Sequence, residues 1–262
     1  MLELIAYLLT GAFAGFVAGL LGVGGGLVIV PALVFVFARI GFSPDVLVHL
    51  AVGTSLSTII VTSISSMRAH HKHRAVDWSV FRQLTPGIVV GALLGAIVAD
   101  RLPSATLRTV FGVFELLVAV QMAIQWNAAP HRQLPGASGL GAAGAVIGTI
   151  SSIIGIGGGT LTVPFLTWCN VSIRNAVATS SACGLPIAVA GAIGFVLTGW
   201  RTPNLPPLAT GYLYWPAFAG IAVVSLLFAP LGARLTHTLP TTVLRRVFAV
   251  FLAVLGVRML WH

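Results

Sequence analysis

From Leu4 to Ala38 the chain carries no charged side chain, and the same is true from Gln133 to Ile173 and from Thr202 to Ala233. A helix needs roughly 20 apolar residues to cross the hydrocarbon core of a bilayer, so each run has room for about two passes. The apolar positions follow one another without alternating with polar ones, which excludes the two-residue period of a membrane β-barrel. Divided at glycines, prolines and short polar stretches, the pattern predicts helical pieces over 3–21, 25–38, 46–68, 78–99 and 104–126, then 137–154, 158–170, 174–199, 212–235 and 240–260. The expected fold class is therefore an all-α polytopic membrane protein. The pieces flanking the two triple glycines are short, and the pattern leaves open whether they are full spans or re-entrant hairpins.

The order of these pieces repeats. "GLLGVGGGLVIVP" (19–31) returns as "SIIGIGGGTLTVP" (152–164), and Gly11, Gly15, Gly22 and Pro31 match Gly144, Gly148, Gly155 and Pro164 at an offset of 133. "AVGTS" (51–55) matches "AVATS" (176–180) at an offset of 125. "LPSATLRTVFGVF" (102–114) matches "LPTTVLRRVFAVF" (239–251) at an offset of 137, which also relates Trp78 to Trp215. Preserved order with small changes of offset is the mark of duplication. We divide the membrane domain into an N-terminal repeat, 1–130, and a C-terminal repeat, 131–262. An odd number of segments per half inverts the second copy, and the basic residues follow that alternation. Arg68, Lys72 and Arg74, then Arg132, Arg174, Arg245 and Arg246, fall on the side predicted to be cytoplasmic. The loops at Arg101 and Arg201, and both ends of the given sequence, fall on the other side. Inverted repeats with interrupted helices characterise secondary transporters.

The triple glycines carry the first chemical argument. Each glycine costs a helix interior about 1 kcal/mol relative to alanine, so Gly24–Gly26 and Gly157–Gly159 favour a break. A break at membrane depth is tolerated only where it is buried in protein or lines a wet cavity. The helix that restarts there presents free N–H groups and the positive end of its dipole, which together suit an anion. Leu27 and Val28 follow the break in one half. Thr160 and Leu161 follow it in the other, and Thr160 adds a hydroxyl donor. Pro31 and Pro164 lie in the restarted pieces, where a missing N–H is best tolerated in the first turn. Gly11, Gly15, Gly19, Gly144 and Gly148 have the small-xxx-small spacing of close helix packing.

In both halves the pattern GxxxGxxxxxxGxGGGxxxxP, followed by "AVGTS" or "AVATS", resembles the TauE/SafE family of sulfite exporter-like membrane permeases over essentially the whole chain. The resemblance implies outward transport of small sulfur-containing anions, such as sulfite or organosulfonates, across the prokaryotic cytoplasmic membrane.

Other residues extend the candidate site. "GTSLSTIIVTS" (53–63) and "ATSSACG" (178–184) concentrate hydroxyls that donate to anion oxygens without the desolvation cost of a buried cation. Thr54 and Ser55 match Thr179 and Ser180. His49 matches Arg174, so each would open the third helix of its half at opposite mouths; Asn175 stands beside Arg174. Glu115 is the single acid deep within a predicted span, and intramembrane carboxylates are usually functional; it is the candidate proton carrier, with Gln121 and Gln125 following on the same helix.

Composition narrows the alternatives. Only 7% of the 262 residues are charged and 57% are hydrophobic, against about 25% charged residues in a soluble domain. The net charge of +9 sits in short loops, without the basic stripe and interleaved aromatics that nucleic acid would need. The start "MLELIAYLLTG" lacks a basic n-region and a small-residue cleavage site, and reads as a first membrane segment. Cys169 and Cys183 match no disulfide or zinc pattern and read as small core residues. His70, His71 and His73 make a metal-cation permease the alternative reading, although Arg68, Lys72 and Arg74 already mark a basic loop. A scaffold whose glycines serve packing alone is the second alternative. The sequence calls for no cofactor, and it contains no catalytic triad, P-loop or intramembrane carboxylate pair.

Overall fold

The computed structural model describes residues 2–21, 25–72, 75–124, 133–235 and 241–261. The described residues form helices α1 (Leu2–Leu21), α2 (Gly26–Ile40), α3 (Leu47–Lys72), α4 (Trp78–Asp100) and α5 (Ser104–Ala123). The second half supplies α6 (Ala137–Ile154), α7 (Gly159–Trp168), α8 (Ile173–Thr198), α9 (Trp215–Leu235) and α10 (Thr241–Trp261). These match the pieces expected from the pattern to within four residues at each end, and two of the shifts have a visible cause. The ninth piece begins at Trp215 rather than 212, because Leu213 and Tyr214 pair antiparallel with Ala209 and Thr210 across left-handed Gly211 (φ 55°). The seventh stops at Trp168, just before Asn170, which is left-handed (φ 64°).

Among the described residues, six helices (α3, α4, α5, α6, α8 and α9) are long and apolar enough to cross a bilayer. The chain is thus a multi-pass membrane protein. At 1.5 Å per residue, α7 is only about 15 Å long, half of the ~30 Å hydrocarbon core. It cannot cross alone.

Helix pairing follows the duplication. α1 packs on α9 and α4 on α6; α3 packs on α8 and α5 on α10. Exchanging the two halves returns the same set of pairs. Without a hydrophobic force between helices in lipid, close approach over small residues holds such pairs together. A Cβ on Gly11 would lie 2.7 Å from the Ile221 carbonyl, and one on Gly15 would lie 2.6 Å from Ser225 Cα. Gly144 and Gly148 press in the same way on the Leu84 and Ile88 carbonyls. Leu84 and Ile88 stand 137 positions before Ile221 and Ser225, so the two crossings are copies of each other. Contacts of Gly53 with Phe195, Leu56 with Gly191 and Ser63 with Gly184 show that α3 and α8 run antiparallel. Contacts of Gly112 with Leu260 and Leu116 with Gly256 show the same for α5 and α10.

A reciprocal pair of hydrogen bonds ties the halves across the α3–α8 centre. The N–H of Tyr214 donates to Thr54 Oγ1 and the N–H of Asp77 donates to Thr179 Oγ1, each at 3.0 Å. Each donor immediately precedes a matched tryptophan, Trp215 or Trp78, and the two threonines match through "AVGTS" and "AVATS". Asp77 also caps α4 by accepting from the N–H groups of Ser79 and Val80. Losing an acceptor strands a backbone N–H inside the protein at about 1 kcal/mol. Thr54→Val and Thr179→Val are each expected to lower the melting temperature of detergent-purified protein by several degrees. Unchanged melting of both variants would count against the tie.

Candidate functional site

Both glycine-rich stretches interrupt the helices. Gly25 is left-handed (φ 77°) and immediately precedes α2. Gly155, also left-handed (φ 77°), ends α6, and the chain runs through buried Ile156 and Gly157 to Gly158 before α7 begins. Gly24 lies outside the described residues. Pro31 and Pro164 each occupy the sixth position of their helix, beyond the first turn, where a missing N–H would matter least. Their missing N–H therefore leaves the carbonyls of Leu27 and Thr160 without an intrahelical donor.

The two interruptions touch. A Cβ on Gly26 would land on the Gly155 carbonyl oxygen and 2.9 Å from Ile156 Cα. The Ser55 hydroxyl donates to that same carbonyl at 2.9 Å. Val30 and Val52 close on Gly155 from α2 and α3. On the other side of the second break, a Cβ on Gly158 would lie 2.7 Å from the Ser180 carbonyl and 3.1 Å from the Gly184 amide. The second break is thus wedged between the start of α2 and the middle of α8.

The hydroxyls around it are unusual. A serine or threonine on a membrane helix can normally turn its hydroxyl back to its own preceding turn. Ser57, Thr167 and Ser181 do so, donating to Gly53, Val163 and Val177 at 2.9–3.0 Å. Ser151 and Ser152 on α6, Thr160 and Thr162 on α7, and Ser180 on α8 do not. All five are at least nine-tenths buried, and none has a hydrogen-bond partner among the described residues. A buried hydroxyl without a partner costs about 1–3 kcal/mol. The five do not all face one point: Thr160 and Thr162, two positions apart on α7, look to opposite sides of that helix, and Ser152 Oγ lies against α8, 3.1 Å from where a Cβ on Gly191 would stand.

Of the residues singled out from the sequence, Gly25, Gly26, Gly157, Gly158, Gly159, Thr160, Ser55 and Ser180 lie at or beside this place. Thr54 and Thr179 accept backbone N–H groups from the opposite half instead. His49 is buried (3% exposed) rather than open at a mouth. Its Nε2 donates to the Ala99 carbonyl at 3.0 Å, its Nδ1 contacts Ser104 Oγ at 3.1 Å, and its ring stacks on Tyr212 at 4.9 Å. Burial pushes the Tyr212 phenol above its ordinary pKa, and its hydroxyl donates to Asp100. Arg174 and Asn175 are exposed at the opposite end, where α8 begins. Glu115 is fully buried, with both carboxyl oxygens unpartnered among the described residues. His73 and the side chains of His70 and His71 lie outside the described residues, and no metal-binding trio of His, Cys, Asp or Glu occurs among those described.

Sequence reading passed over Ser151, Ser152 and Thr162. The signal lay in the duplication itself. At the matching positions the first half has Ala18, Gly19 and Ile29, and it has Leu27 in place of Thr160.

Interrupted helices meeting inside a multi-pass bundle, with unfulfilled donors at the junction, define the class of a membrane transporter. The sequence matches the sulfite exporter TauE/SafE family over residues 7–259, and the chain belongs to that family. It is 38% identical over 255 residues to a "Probable membrane transporter protein" of Haemophilus influenzae, covering 96% of each chain. A "Probable membrane transporter protein" of Methanocaldococcus jannaschii is 29% identical over 273 residues, covering 99% of this chain and 96% of the other. The relative YunE of Bacillus subtilis, with the same description, is 25% identical over 280 residues, covering 100% of this chain and 98% of its own. No solved structure matches.

Proposed function

We propose that this transporter moves a small sulfur-containing anion, sulfite or an organosulfonate, outward across the cytoplasmic membrane by alternating access between its halves, 1–130 and 131–262. The carrying observation is the second break itself, where α7 restarts with buried Thr160 and Thr162, neither of which has a hydrogen-bond partner among the described residues. They are joined by the amides that α7 leaves free in its first turn, and donors of both kinds bind anions without a buried cation. The antiparallel α3–α8 and α5–α10 pairs support an inverted repeat, the arrangement in which one half rocks against the other around a fixed site. The segments at Asp77 and Thr179 share one end of the bundle, and its basic residues favour the cytoplasmic side. The negative interior potential drives anions out, with about 2.3 kcal/mol per charge for each 100 mV.

The test is flux in proteoliposomes. Labelled sulfite or sulfoacetate is expected to leave protein-containing vesicles faster than empty ones, with divalent cations retained. Flux of a divalent metal with neither anion moving would overturn the proposal in favour of the histidine-loop alternative. Glu115 is the proposed proton carrier: Glu115→Gln is expected to flatten the dependence of flux on pH, and a retained wild-type pH profile would remove it from the mechanism.

A further inference from the structure

The hairpin 209–214 of the second half drives two tyrosines into the first half. Tyr212 is 3% exposed. Its hydroxyl donates to the Asp100 carboxylate at the end of α4 at 2.9 Å and accepts from the Thr202 hydroxyl at 3.1 Å. Its ring stacks on His49 of α3 and meets Phe195 of α8 edge-on at 6.1 Å. Tyr214 meets Phe37 and Phe42 edge-on at 5.5 and 5.1 Å, and Tyr7 of α1 at 6.4 Å. Tyr7, Phe37 and Tyr214 are all buried, so aromatic side chains fill this end of the bundle.

The duplication supplies the comparison. At the offset of 137, Tyr212 matches Ala75 and Tyr214 matches Asp77. Much around them is copied. Trp78 meets Phe81 edge-on at 5.3 Å as Trp215 meets Phe218 at 5.6 Å, and the Asp77 and Tyr214 N–H groups donate to matched threonines. The side chains of the two segments differ. Ala75 and Val76 rest on Ala178 and Ala182 of α8, and the Asp77 carboxylate turns back to cap its own helix. One end is thus closed by small apolar residues, the other by stacked rings and a hydroxyl bonded to a carboxylate, the stronger kind of hydrogen bond. The tyrosine end is also tied to the second break. Thr54 holds the Tyr214 N–H, and its neighbour Ser55 holds the Gly155 carbonyl.

Resting on the transport reading above, we propose that the hairpin 209–214 is the gate at the end that carries Arg101 and Arg201, that Tyr212 and Tyr214 are its bolts, and that their withdrawal from the first half sets the pace of transport. Alternating access requires each end to part in turn. The Ala75 end separates small apolar surfaces. The tyrosine end must break the Asp100 bond, unstack His49 and pull Tyr214 from three rings. The heavier closure opens more slowly, and slow opening of such closures limits many turnover rates.

The experiment is efflux of labelled sulfite from proteoliposomes containing the full chain. Tyr212→Phe keeps the ring and loses both hydroxyl bonds; it is expected to raise flux about threefold while lowering the melting temperature. A tyrosine that served only as a strut would lose flux along with stability, so flux that falls or stays at the wild-type level would overturn the gate. A second variant carries Phe42→Cys and Tyr214→Cys, with Cys169→Ala and Cys183→Ala removing the native thiols. Bridging its two cysteines with a short bis-methanethiosulfonate, the bridge being counted by mass, is expected to cut flux about tenfold or more, and dithiothreitol to restore it. Bridged protein that moves sulfite as fast as unbridged protein would overturn the gate while leaving transport intact. Wild-type protein that moves no sulfite would overturn the transport reading and the gate together.

Discussion

Gly158→Val is expected to reduce anion flux to background while the protein still enters the membrane and purifies as a single species. Gly158 has ordinary helical dihedrals (φ −62°, ψ −23°), so a side chain there meets no backbone strain. It meets α8. A Cβ would lie 2.7 Å from the Ser180 carbonyl and 3.1 Å from the Gly184 amide, and these are backbone atoms that cannot turn aside. The start of α7 must move by about an ångström, and the Gly159–Leu161 amides move with it. Mispositioning of that size is enough to remove about a hundredfold of activity where geometry sets the rate. The α4–α6 and α1–α9 crossings lie elsewhere and are untouched. Size-exclusion chromatography alongside vesicle flux separates loss of function from loss of fold. Wild-type flux in well-folded Gly158→Val protein would count heavily against the second break as the site.

Gly91→Val is expected to have the opposite profile, with no folded protein recovered. α4 and α6 meet so closely that Cβ atoms on Gly87 and Gly91 would fall on the Gly141 and Ala145 carbonyls. The Thr149 hydroxyl donates to Gly91 across this seam at 3.0 Å. In lipid such a contact has no hydrophobic substitute, and overpacking of this kind costs about 3 kcal/mol. Gly15→Val at the equivalent α1–α9 crossing should behave alike. There, Gly15 faces Ser225 and the Ser225 hydroxyl donates to the Gly11 carbonyl at 3.0 Å. Yield of monodisperse protein after detergent extraction checks both variants; normal yield and melting would contradict the packing role of these glycines.

The helices and their breaks were legible because lipid imposes coarse rules. Uncharged runs mark membrane segments, and three glycines mark an end. The packing glycines were legible for the same reason, since small residues four apart have one common use between membrane helices. The roles of individual hydroxyls were not legible. Ser55 and Ser180 occupy matched positions in near-identical local sequence, yet Ser55 donates to the Gly155 carbonyl and Ser180 has no partner among the described residues. That difference is decided by which distant segment arrives, and neighbouring residues carry no record of it. His49 illustrates the same limit. Its match to Arg174 suggested two basic mouths, but the corner between α4 and α5 folds over it and engages both ring nitrogens. The unlike character of the two breaks was written in the sequence, as Ala18, Leu27 and Ile29 against Ser151, Thr160 and Thr162. It acquires meaning only once Gly26 is seen pressed onto Gly155.

The central claim is that an anion is gripped by the amides and buried hydroxyls of the second interruption. The most direct measurement is a crystal structure of the full chain soaked with selenite, using anomalous scattering at the selenium edge to locate the oxyanion. A single strong peak within hydrogen-bond distance of the Gly159–Leu161 amides and the Thr160 or Thr162 hydroxyl is the expected result. A peak confined to the start of α2, to the exposed Arg174 end, or to any place remote from α7 would contradict it.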